Sequence, residues 1–473
     1  MAFERPFDHG PIVDETWHTG HSVADSMRIA IIGGGAAGLM ATAAALEHHP
    51  TIDLFLVERN ATLGKKVLLS GGGRCNVTTG LQDIREVLKH YPRGAKFLTS
   101  AMRRFPPTAT EEWFEAHGVP LKTESDLRVF PRSDDGHDIV NVFTRLFASS
   151  DAHVKIMLDH HVIAIRTDGR CFFIDFKNQK QLIVDRVILT TGGQAYRQTG
   201  STGDGYAFAE TLGHTITPLA PSLNSFVTQE TWPKKLSGVS FERARITASF
   251  SSYPSYSGPF LFTHKGISGP AVFALSGLIA FETFDALHPM NVTIDLFPDE
   301  LEKDLVKRLT DSFHANGKKD VRNVLAGFVP KSMAEMICTQ AVIKSDSNAA
   351  DLNKAQIGTI VSRLKNIALH VIGRGAGDEF VTAGGIRLSE VNQATMESTI
   401  CPGLFFAGEI LDVDGYTGGF NLQASWATGR RAGECAAAPR TTSLPKAQAR
   451  ESPPQVGDAF PDRNQADSRK KMP

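Results

Sequence analysis

The sequence is short of the features that mark several common classes of protein. Its five cysteines lie far apart with no C-x-x-C pair, which argues against a disulfide framework, a zinc cluster and a dithiol redox centre. Acidic and basic residues nearly balance at a net charge of -1, so no global field favours nucleic acid or an anionic membrane. Residues 1–26 lack the basic start and apolar core of a signal peptide. We therefore expect a cytoplasmic protein with no metal site, no membrane partner and no nucleic-acid partner.

The two ends of the chain differ in composition from the rest. Residues 1–26 are polar and predict a flexible extension, and residues 436–473 are rich in Pro, Ser, Gln, Arg and Asp. The second segment has too little apolar surface to offset the entropy of ordering, so it predicts a disordered tail. The remainder of the 473 residues is long enough for large hydrophobic cores in two or three domains.

The run from Ile29 to Leu46 contains no charged residue, which fits either a membrane helix or a buried strand and helix. Three consecutive glycines interrupt this run directly after the apolar segment Ile29–Ile32. A membrane helix gains nothing from such a triplet, whereas G-x-G-x-x-G between a strand and a helix builds a turn that approaches a pyrophosphate. Gly33, Gly35 and Gly38 match that pattern and predict a Rossmann-like nucleotide site.

A second apolar strand, "TIDLFLVE", ends at Glu58, twenty residues after Gly38. A carboxylate at this position accepts hydrogen bonds from ribose hydroxyls in dinucleotide-binding folds. Its charge repels a 2'-phosphate, so this site is not expected to bind NADP. The fingerprint itself leaves both FAD and NAD open.

A second glycine-rich loop runs from Ser70 to Gly73 in "LLSGGGRCN". Successive backbone amides in such a loop can approach an anion or a ring, and Arg74 and Asn76 add donors beside it. The strand "VILTTGG" (Val187 to Gly193) ends in small residues, and "GLFFAGEI" repeats this design near the end of the chain. Both strands therefore predict close approach of backbone to a ligand at the carboxyl edge of a parallel sheet.

Five stretches carry a resemblance to a known family: "LGKKVLLSGGGRCNVT", "VILTTGG", "TGSTGDGYAFAETLGH", "VTAGGI" and "PGLFFAGEILDVDGYTGGFNLQASWATGRRAG". Together they closely resemble the aminoacetone-oxidase family of FAD-binding enzymes, which also includes flavin reductases of unsaturated bile-acid intermediates. The resemblance covers about Arg28 to Gly433. It implies FAD as the cofactor, with Glu409 on the ribityl chain and neighbouring Asp412 as the alternative.

Motifs and resemblance together define a set of expected cofactor-binding residues. These are Gly33, Gly35, Ala36, Ala37, Gly38, Glu58, Arg59, Lys66, Ser70, Gly71, Gly72, Arg74, Cys75, Asn76, Thr191, Gly192, Gly193, Gly408, Glu409, Gly419, Asn421 and Leu422. A helix beginning near Asn421, after the glycine pair Gly418 and Gly419, is expected to point its N-terminus at the pyrimidine edge of the flavin. Asp204 and Gly205 are expected to shape a loop near the flavin, or Asp204 to cap a helix.

The predicted fold class is α/β: a Rossmann-like FAD-binding domain with an inserted antiparallel β domain and a small helical domain. The FAD-binding domain is predicted as two segments, 27–198 and 375–435. Short β-type runs broken by Pro and Gly predict a barrel-like insert over 199–298 and 366–374. Helical periodicity predicts the small helical domain over 299–365. We expect substrate to lie between the flavin and the insert.

The predicted function is FAD-dependent transfer of hydride or electrons to or from a small organic substrate, with transient NAD(P)H or oxygen as the other redox partner. His264 in "LFTHKGISGP" is the catalytic candidate, as a proton donor, with structural bonding of its own loop as the alternative. Tyr416 and Arg74 are further candidates for proton donation or anion binding. Cys75 is expected to be a packed thiol. A flavoprotein that modifies tRNA and a non-catalytic flavin-binding protein remain alternatives, and the sequence does not fix the oligomeric state.

Overall fold

The fold has two structural halves, one built on a parallel sheet and the other on a barrel. A five-stranded parallel sheet lies at the centre of the first half. The computed structural model describes residues 27–149, 153–250, 252–375 and 380–439. Across the sheet the strands are Leu404–Phe406, Arg186–Leu189, Arg28–Ile32, Asp53–Val57 and Val154–Met157. Most of their residues are apolar and buried, as expected for parallel strands that are covered on both faces.

The first helix, Ala36–His48, explains the uncharged run in the sequence. Every residue from Ala36 to Leu46 is buried, because the helix lies between the sheet and the last helix, Phe420–Ala437. Gly429 and Gly433 let the two helices approach so closely that a Cβ at either position would overlap a backbone carbonyl of the first helix. The run is therefore a strand, a turn and a helix buried on all sides. Within the described ranges, we find no helix with the length and apolarity needed to cross a membrane.

The other elements of this half surround the sheet. Its helices are Lys65–Leu69, Ile84–Leu88, Ala95–Arg104, Pro107–Ala116, His137–Ala148 and Asp204–Thr211. One antiparallel sheet contains Thr78–Thr79, Arg128–Pro131 and Leu121–Thr123, and another contains Val162–Thr167, Phe172–Phe176 and Gln181–Val184. A two-stranded antiparallel ladder joins Ala220–Ser222 to Val381–Ala383.

The second half is a closed six-stranded antiparallel barrel. Around the barrel the strands are Phe226–Thr228, Gly266–Ser268, Ser255–Phe262, Ser240–Ala248, Met290–Asp295 and Ile367–Arg374. The helices Pro270–Leu278, Glu302–Ala315, Val321–Leu325, Lys331–Gln340 and Lys354–Lys365 pack their apolar side chains into the same core. The predicted fold class, with a Rossmann-like sheet, antiparallel sheets and a helical segment, is confirmed.

The element boundaries differ from the predicted segments in two places. The helix Asp204–Thr211 was expected in the insert, but Tyr206 and Phe208 pack into the core of the parallel sheet, and the first barrel strand begins only at Phe226. The last helix continues to Ala437, beyond the expected start of the tail at 436, because its final alanines are buried. The expected extension over 1–26 and residues 440–473 of the expected tail lie outside the described residues.

Candidate active site

The first glycine turn connects the strand Arg28–Ile32 to the first helix. Gly33 has a φ of +111°, and a Cβ there would lie 2.6 Å from the carbonyl oxygen of Thr190. A Cβ on Gly38 would overlap the carbonyl oxygen of Gly33, so this glycine allows the helix to approach the strand. Gly35 differs from both, because its Cβ position has no atom within 4 Å. The turn therefore leaves open space at Gly35, where the helix begins.

That open space belongs to a cavity of about 750 Å³ between the sheet and the barrel. The first-turn amides of Ala36 and Ala37 have no acceptor within their own helix, since its first hydrogen bond runs from Leu39 N to Gly35 O. The expected residues that line the cavity are Gly33, Gly35, Ala36, Ala37, Glu58, Arg59, Lys66, Ser70, Gly71, Gly72, Asn76, Thr191, Gly192, Gly408, Glu409, Gly419, Asn421 and Leu422. The structure thus brings together segments from both ends of the described chain.

Glu58 directly follows the strand Asp53–Val57 and is 8% exposed at the wall of the cavity. Its Oε2 accepts a 2.7 Å hydrogen bond from the amide of Gly34. Its Oε1 accepts hydrogen bonds of 2.8 and 2.6 Å from the backbone and side-chain nitrogens of Asn60. These three donors hold a negative charge beside the glycine turn.

The second glycine loop forms a tight turn over Ser70–Gly73. Gly71, Gly72 and Gly73 have φ values of +60°, +71° and +94°, a left-handed series that residues with a Cβ rarely adopt. The Cβ position of Gly72 has no atom within 4 Å. The loop therefore presents bare backbone to the cavity.

Glu409 follows the strand Leu404–Phe406 and connects three separate segments. Its Oε2 lies 2.6 Å from Lys66 Nζ, and its Oε1 accepts a 2.9 Å hydrogen bond from the amide of Thr382. The absence of a side chain at Gly193 makes room for this arrangement, because a Cβ there would lie 3.0 Å from Glu409 Oε1. Gly193 therefore supports the site by packing and is not among the residues that line the cavity.

The N-terminus of the last helix lies at the cavity beside the second glycine loop. With the Asn76 amide oriented to satisfy its neighbours, its Oδ1 accepts a 2.9 Å hydrogen bond from the amide of Gly419. The Asn421 side chain returns to Gly415, accepting from its amide at 2.8 Å and donating to its carbonyl at 2.7 Å. These bonds fix the loop that leads into the helix, whose positive end faces the cavity.

Arg74 and Cys75 are not among the residues that line the cavity, contrary to expectation. Arg74 forms ion pairs with Glu124 at 2.8 Å and Asp134 at 3.3 Å, and its guanidinium stacks 3.8 Å from the ring centroid of Phe130. Cys75 is fully buried, and burial raises the pKa of its thiol to about 12. Its side chain is thus a packed, protonated thiol.

His264 also lies apart from the cavity. It occupies an exposed turn between the strands Ser255–Phe262 and Gly266–Ser268, and it is not among the cavity-lining residues. The nearby residues Pro259 and Pro270 do line the cavity. The chain around His264 thus reaches the cavity at Pro259 and Pro270, and the expected proton-donor role of this histidine is not supported by its position.

The barrel side of the cavity is apolar and was not predicted residue by residue. Phe273 and Phe380 pack edge to face with a centroid distance of 5.0 Å, and Tyr196 lies 5.8 Å from Phe380. Leu223 completes this wall. These residues lie in unrelated segments without a local motif, so the sequence offers no signal that joins them.

A family model described as the HI0933-like protein Rossmann domain matches residues 27–435. The chain belongs to the HI0933-like family. The family binds FAD and comprises oxidoreductases, and our protein is an FAD-dependent oxidoreductase, which confirms the cofactor and the enzyme class that the resemblance implies. In the described part of the structure, no group of three or more His, Cys, Asp or Glu side chains is placed to hold a metal ion.

Several enzymes are similar to this chain over more than four fifths of its length. The chain is 31% identical to a 3-dehydro-bile acid delta(4,6)-reductase of Clostridium scindens, over 87% of the chain and 99% of that protein. It is 28% identical to a ribosomal RNA dihydrouridine synthase of Escherichia coli, over 84% of the chain and 95% of that protein. A solved 3-ketosteroid-delta4-(5alpha)-dehydrogenase from Rhodococcus jostii RHA1 is 16% identical, with a TM-score of 0.48, over 88% of the chain and 99% of that structure.

Proposed function

We propose that the protein uses FAD to reduce a carbon–carbon double bond conjugated to a carbonyl group in a small apolar substrate, with NAD(P)H as the source of electrons. The observation that carries this proposal is one continuous cavity, with glycine-rich backbone on one side and the apolar wall of Phe273 and Phe380 on the other. Such a cavity can hold a cofactor ring against an apolar substrate.

The cavity fits FAD in its polarity and in its bare backbone. The Cβ positions of Gly35 and Gly72 open into free space, so an added side chain would occupy the volume that backbone amides leave for a ligand. A ligand with polar groups along its length satisfies these donors.

Each end of the cavity has residues suited to one part of the cofactor. Glu58 would accept hydrogen bonds from ribose hydroxyls, and the amides of Ala36 and Ala37 would bind the pyrophosphate. Glu409 would bind the ribityl chain, and the N-terminus of the last helix would stabilise negative charge at the pyrimidine edge. FAD, once reduced, supplies the hydride that adds to the substrate.

The relatives favour an electron-poor double bond as the substrate group. The Clostridium scindens relative is named for reduction at delta(4,6) positions of a 3-dehydro-bile acid, where the double bonds are conjugated to a ketone. We extend that chemistry to this chain because the wall formed by Leu223, Phe273 and Phe380 suits an apolar ring system.

An anaerobic half-reaction assay tests the proposal. The purified protein is expected to carry flavin absorbance, to bleach with NADH or NADPH, and to recover its colour on addition of a 3-oxo-delta(4,6) bile acid. One molecule of ketone with one double bond fewer should appear for each flavin reoxidised. If oxygen restores the colour and none of the unsaturated ketones does, the proposal is overturned in favour of an oxidase.

Reduction of uridine in ribosomal RNA is the second candidate. It is favoured by the 28% identity to the Escherichia coli ribosomal RNA dihydrouridine synthase. The double bond of uracil is also conjugated to a carbonyl, so the same flavin chemistry applies. Formation of dihydrouridine in unmodified ribosomal RNA incubated with the reduced protein, without turnover of small unsaturated ketones, would select this candidate.

A further inference from the structure

Tyr416, which lines the cavity, packs against a second tyrosine, Tyr256, from the barrel half of the molecule. Tyr416 lies in the loop before the last helix, and Tyr256 lies on the barrel strand Ser255–Phe262. Their rings pack edge to face with a centroid distance of 5.0 Å, and Tyr256 contacts both hydrophobic cores. Tyr416 therefore lies where the flavin side and the substrate side of the proposed site adjoin.

The backbone around Tyr416 is fixed by several bonds. Its amide donates a 2.9 Å hydrogen bond to the carbonyl of His90. Asp414, two residues earlier, is fully buried, pairs with Arg93 and accepts a 2.8 Å hydrogen bond from the hydroxyl of Ser222. The backbone at Tyr416 is thus fixed, and its ring is held against Tyr256, which preorganises the side chain as a catalytic group requires.

The hydroxyl of Tyr416 is available to a ligand. The residue is 9% exposed and lines the cavity, and no hydrogen bond from its hydroxyl to another protein group is found within the described residues. The donor is thus not committed to the protein and can serve a bound molecule.

Other acids that line the cavity are less suited to donate a proton to substrate. Glu409 is paired with Lys66. His161 lies 3.5 Å from Asp204, and the ring of His160 bonds the carbonyl of its own loop, so both belong to the Glu58 end of the cavity. Serine and threonine hydroxyls in the wall are far weaker acids than a phenol. The other phenol of the wall, Tyr196, has its ring against Phe380 and Lys66, at the end of the wall that Glu409 shares.

We propose that Tyr416 is the catalytic acid of the reduction, an inference that rests on the function proposed above. Hydride forms a C–H bond at the β-carbon of the unsaturated ketone, and the π electrons move toward the carbonyl to give an enolate. The enolate α-carbon takes the proton of the Tyr416 hydroxyl, so that O–H bond breaks as the second C–H bond forms. The phenolate regains a proton from water, and NAD(P)H supplies the electron pair for the next cycle.

The surroundings of Tyr416 keep it protonated until substrate needs the proton. Burial, with a further contribution from neighbouring Tyr256, raises the pKa of Tyr416 to about 12. The phenol is therefore neutral near pH 7 and becomes a donor only to a strong base such as an enolate.

Tyr416→Phe tests the inference in deuterated water, with Tyr253→Phe as the matched control because Tyr253 is 67% exposed. The probes are 2-cyclohexen-1-one and a 3-oxo-delta(4,6) bile acid. For Tyr416→Phe we expect flavin reduction by NAD(P)H to stay within about twofold of the wild-type rate and reoxidation by the probes to slow by about 100-fold. The wild type should place deuterium on one face of the α-carbon, and the variant should give a mixture.

Three further results distinguish the outcomes. Flavin content, and the dissociation constant of cyclohexanone measured from the flavin spectrum, should be unchanged in Tyr416→Phe, which separates loss of the acid from loss of structure. Reoxidation within about twofold of wild type, with one-faced labelling, would overturn the role of Tyr416 alone. Failure of the wild type to reduce either probe would overturn the proposed function itself.

Discussion

Lys66 and Glu409 are 343 residues apart in the chain, yet their charged groups lie 2.6 Å apart at the wall of the cavity. Lys66 belongs to the short helix that leads into the second glycine loop, and Glu409 follows the edge strand of the parallel sheet. Both side chains are mostly buried, at 26% and 16% exposure. This pair therefore ties the early and late parts of the proposed FAD site together.

Replacing Glu409 with Gln should weaken FAD binding by about tenfold, or about 1.4 kcal/mol. The change removes the charge that pairs with Lys66 and leaves that ammonium group partly buried without its partner. The measurement is the dissociation constant of FAD, from titration of the apoprotein followed by flavin fluorescence. Lys89→Met, which removes an exposed ion pair with Glu86, is the control and should leave this constant unchanged. Equal affinity in Glu409→Gln and wild type would contradict the assignment.

Two glycines of the first turn should respond differently to substitution. Gly35→Val should fold but lose its yellow colour, because its Cβ meets no protein atom within 4 Å and its side chain enters the space expected for the cofactor. Gly38→Val should unfold at lower temperature or fail to accumulate, because its Cβ overlaps the Gly33 carbonyl. Circular dichroism and the flavin-to-protein absorbance ratio separate the two effects. A fully yellow Gly35→Val protein would show that the cofactor does not pass this glycine.

Substitution of Glu58 should affect both the turn and the cofactor. In Glu58→Gln one carboxylate oxygen becomes an amide nitrogen, which cannot accept the bond from Gly34 or those from Asn60. We expect a loss of unfolding free energy of about 1–3 kcal/mol and weaker FAD retention. Denaturant unfolding of the apoprotein measures the first effect, and dialysis against buffer measures the second. Unchanged values for both would rule out the proposed anchoring.

The order of strand, glycine turn, helix and Glu58 could be predicted because each role depends on local pattern. The same is true of the second glycine loop, whose left-handed residues must be glycines. Sequence adjacency does not show which way a side chain turns: Cys75 has a φ of +61° and is buried in the core, and Arg74 pairs with Glu124 and Asp134. The apolar wall could not be predicted, since Phe273 and Phe380 meet only through closure of the barrel.

His214 should make stability depend on pH. Its side chain is fully buried, its Nε2 lies 2.8 Å from the hydroxyl of Ser398, and its pKa is lowered by burial, which outweighs the opposing effect of Glu390. Below the ordinary value of 6.5, the unfolded chain binds a proton at this histidine that the folded chain does not, so stability falls as pH falls. Above pH 6.5 the histidine is neutral in both the folded and the unfolded chain, so its burial no longer lowers the free energy of unfolding.

The measurement is the unfolding midpoint at about pH 7.5 and about pH 5.5 for wild type and His214→Asn, a window that spans the ordinary histidine pKa. The variant should be less stable at the higher pH, because the bond to Ser398 is lost, yet its midpoint should change less between the two values. An equal change in both proteins would assign the pH dependence to other groups.

The position of the strand Leu404–Phe406 and the helix Phe420–Ala437 has a consequence for biosynthesis. All six barrel strands lie between Phe226 and Arg374, so that half can close while the ribosome is still translating the remainder. The half built on the parallel sheet begins first but is completed last, because its apolar helix Ala36–His48 stays uncovered until the helix Phe420–Ala437 has been translated. The proposed FAD site is therefore complete only once the final helix has been translated.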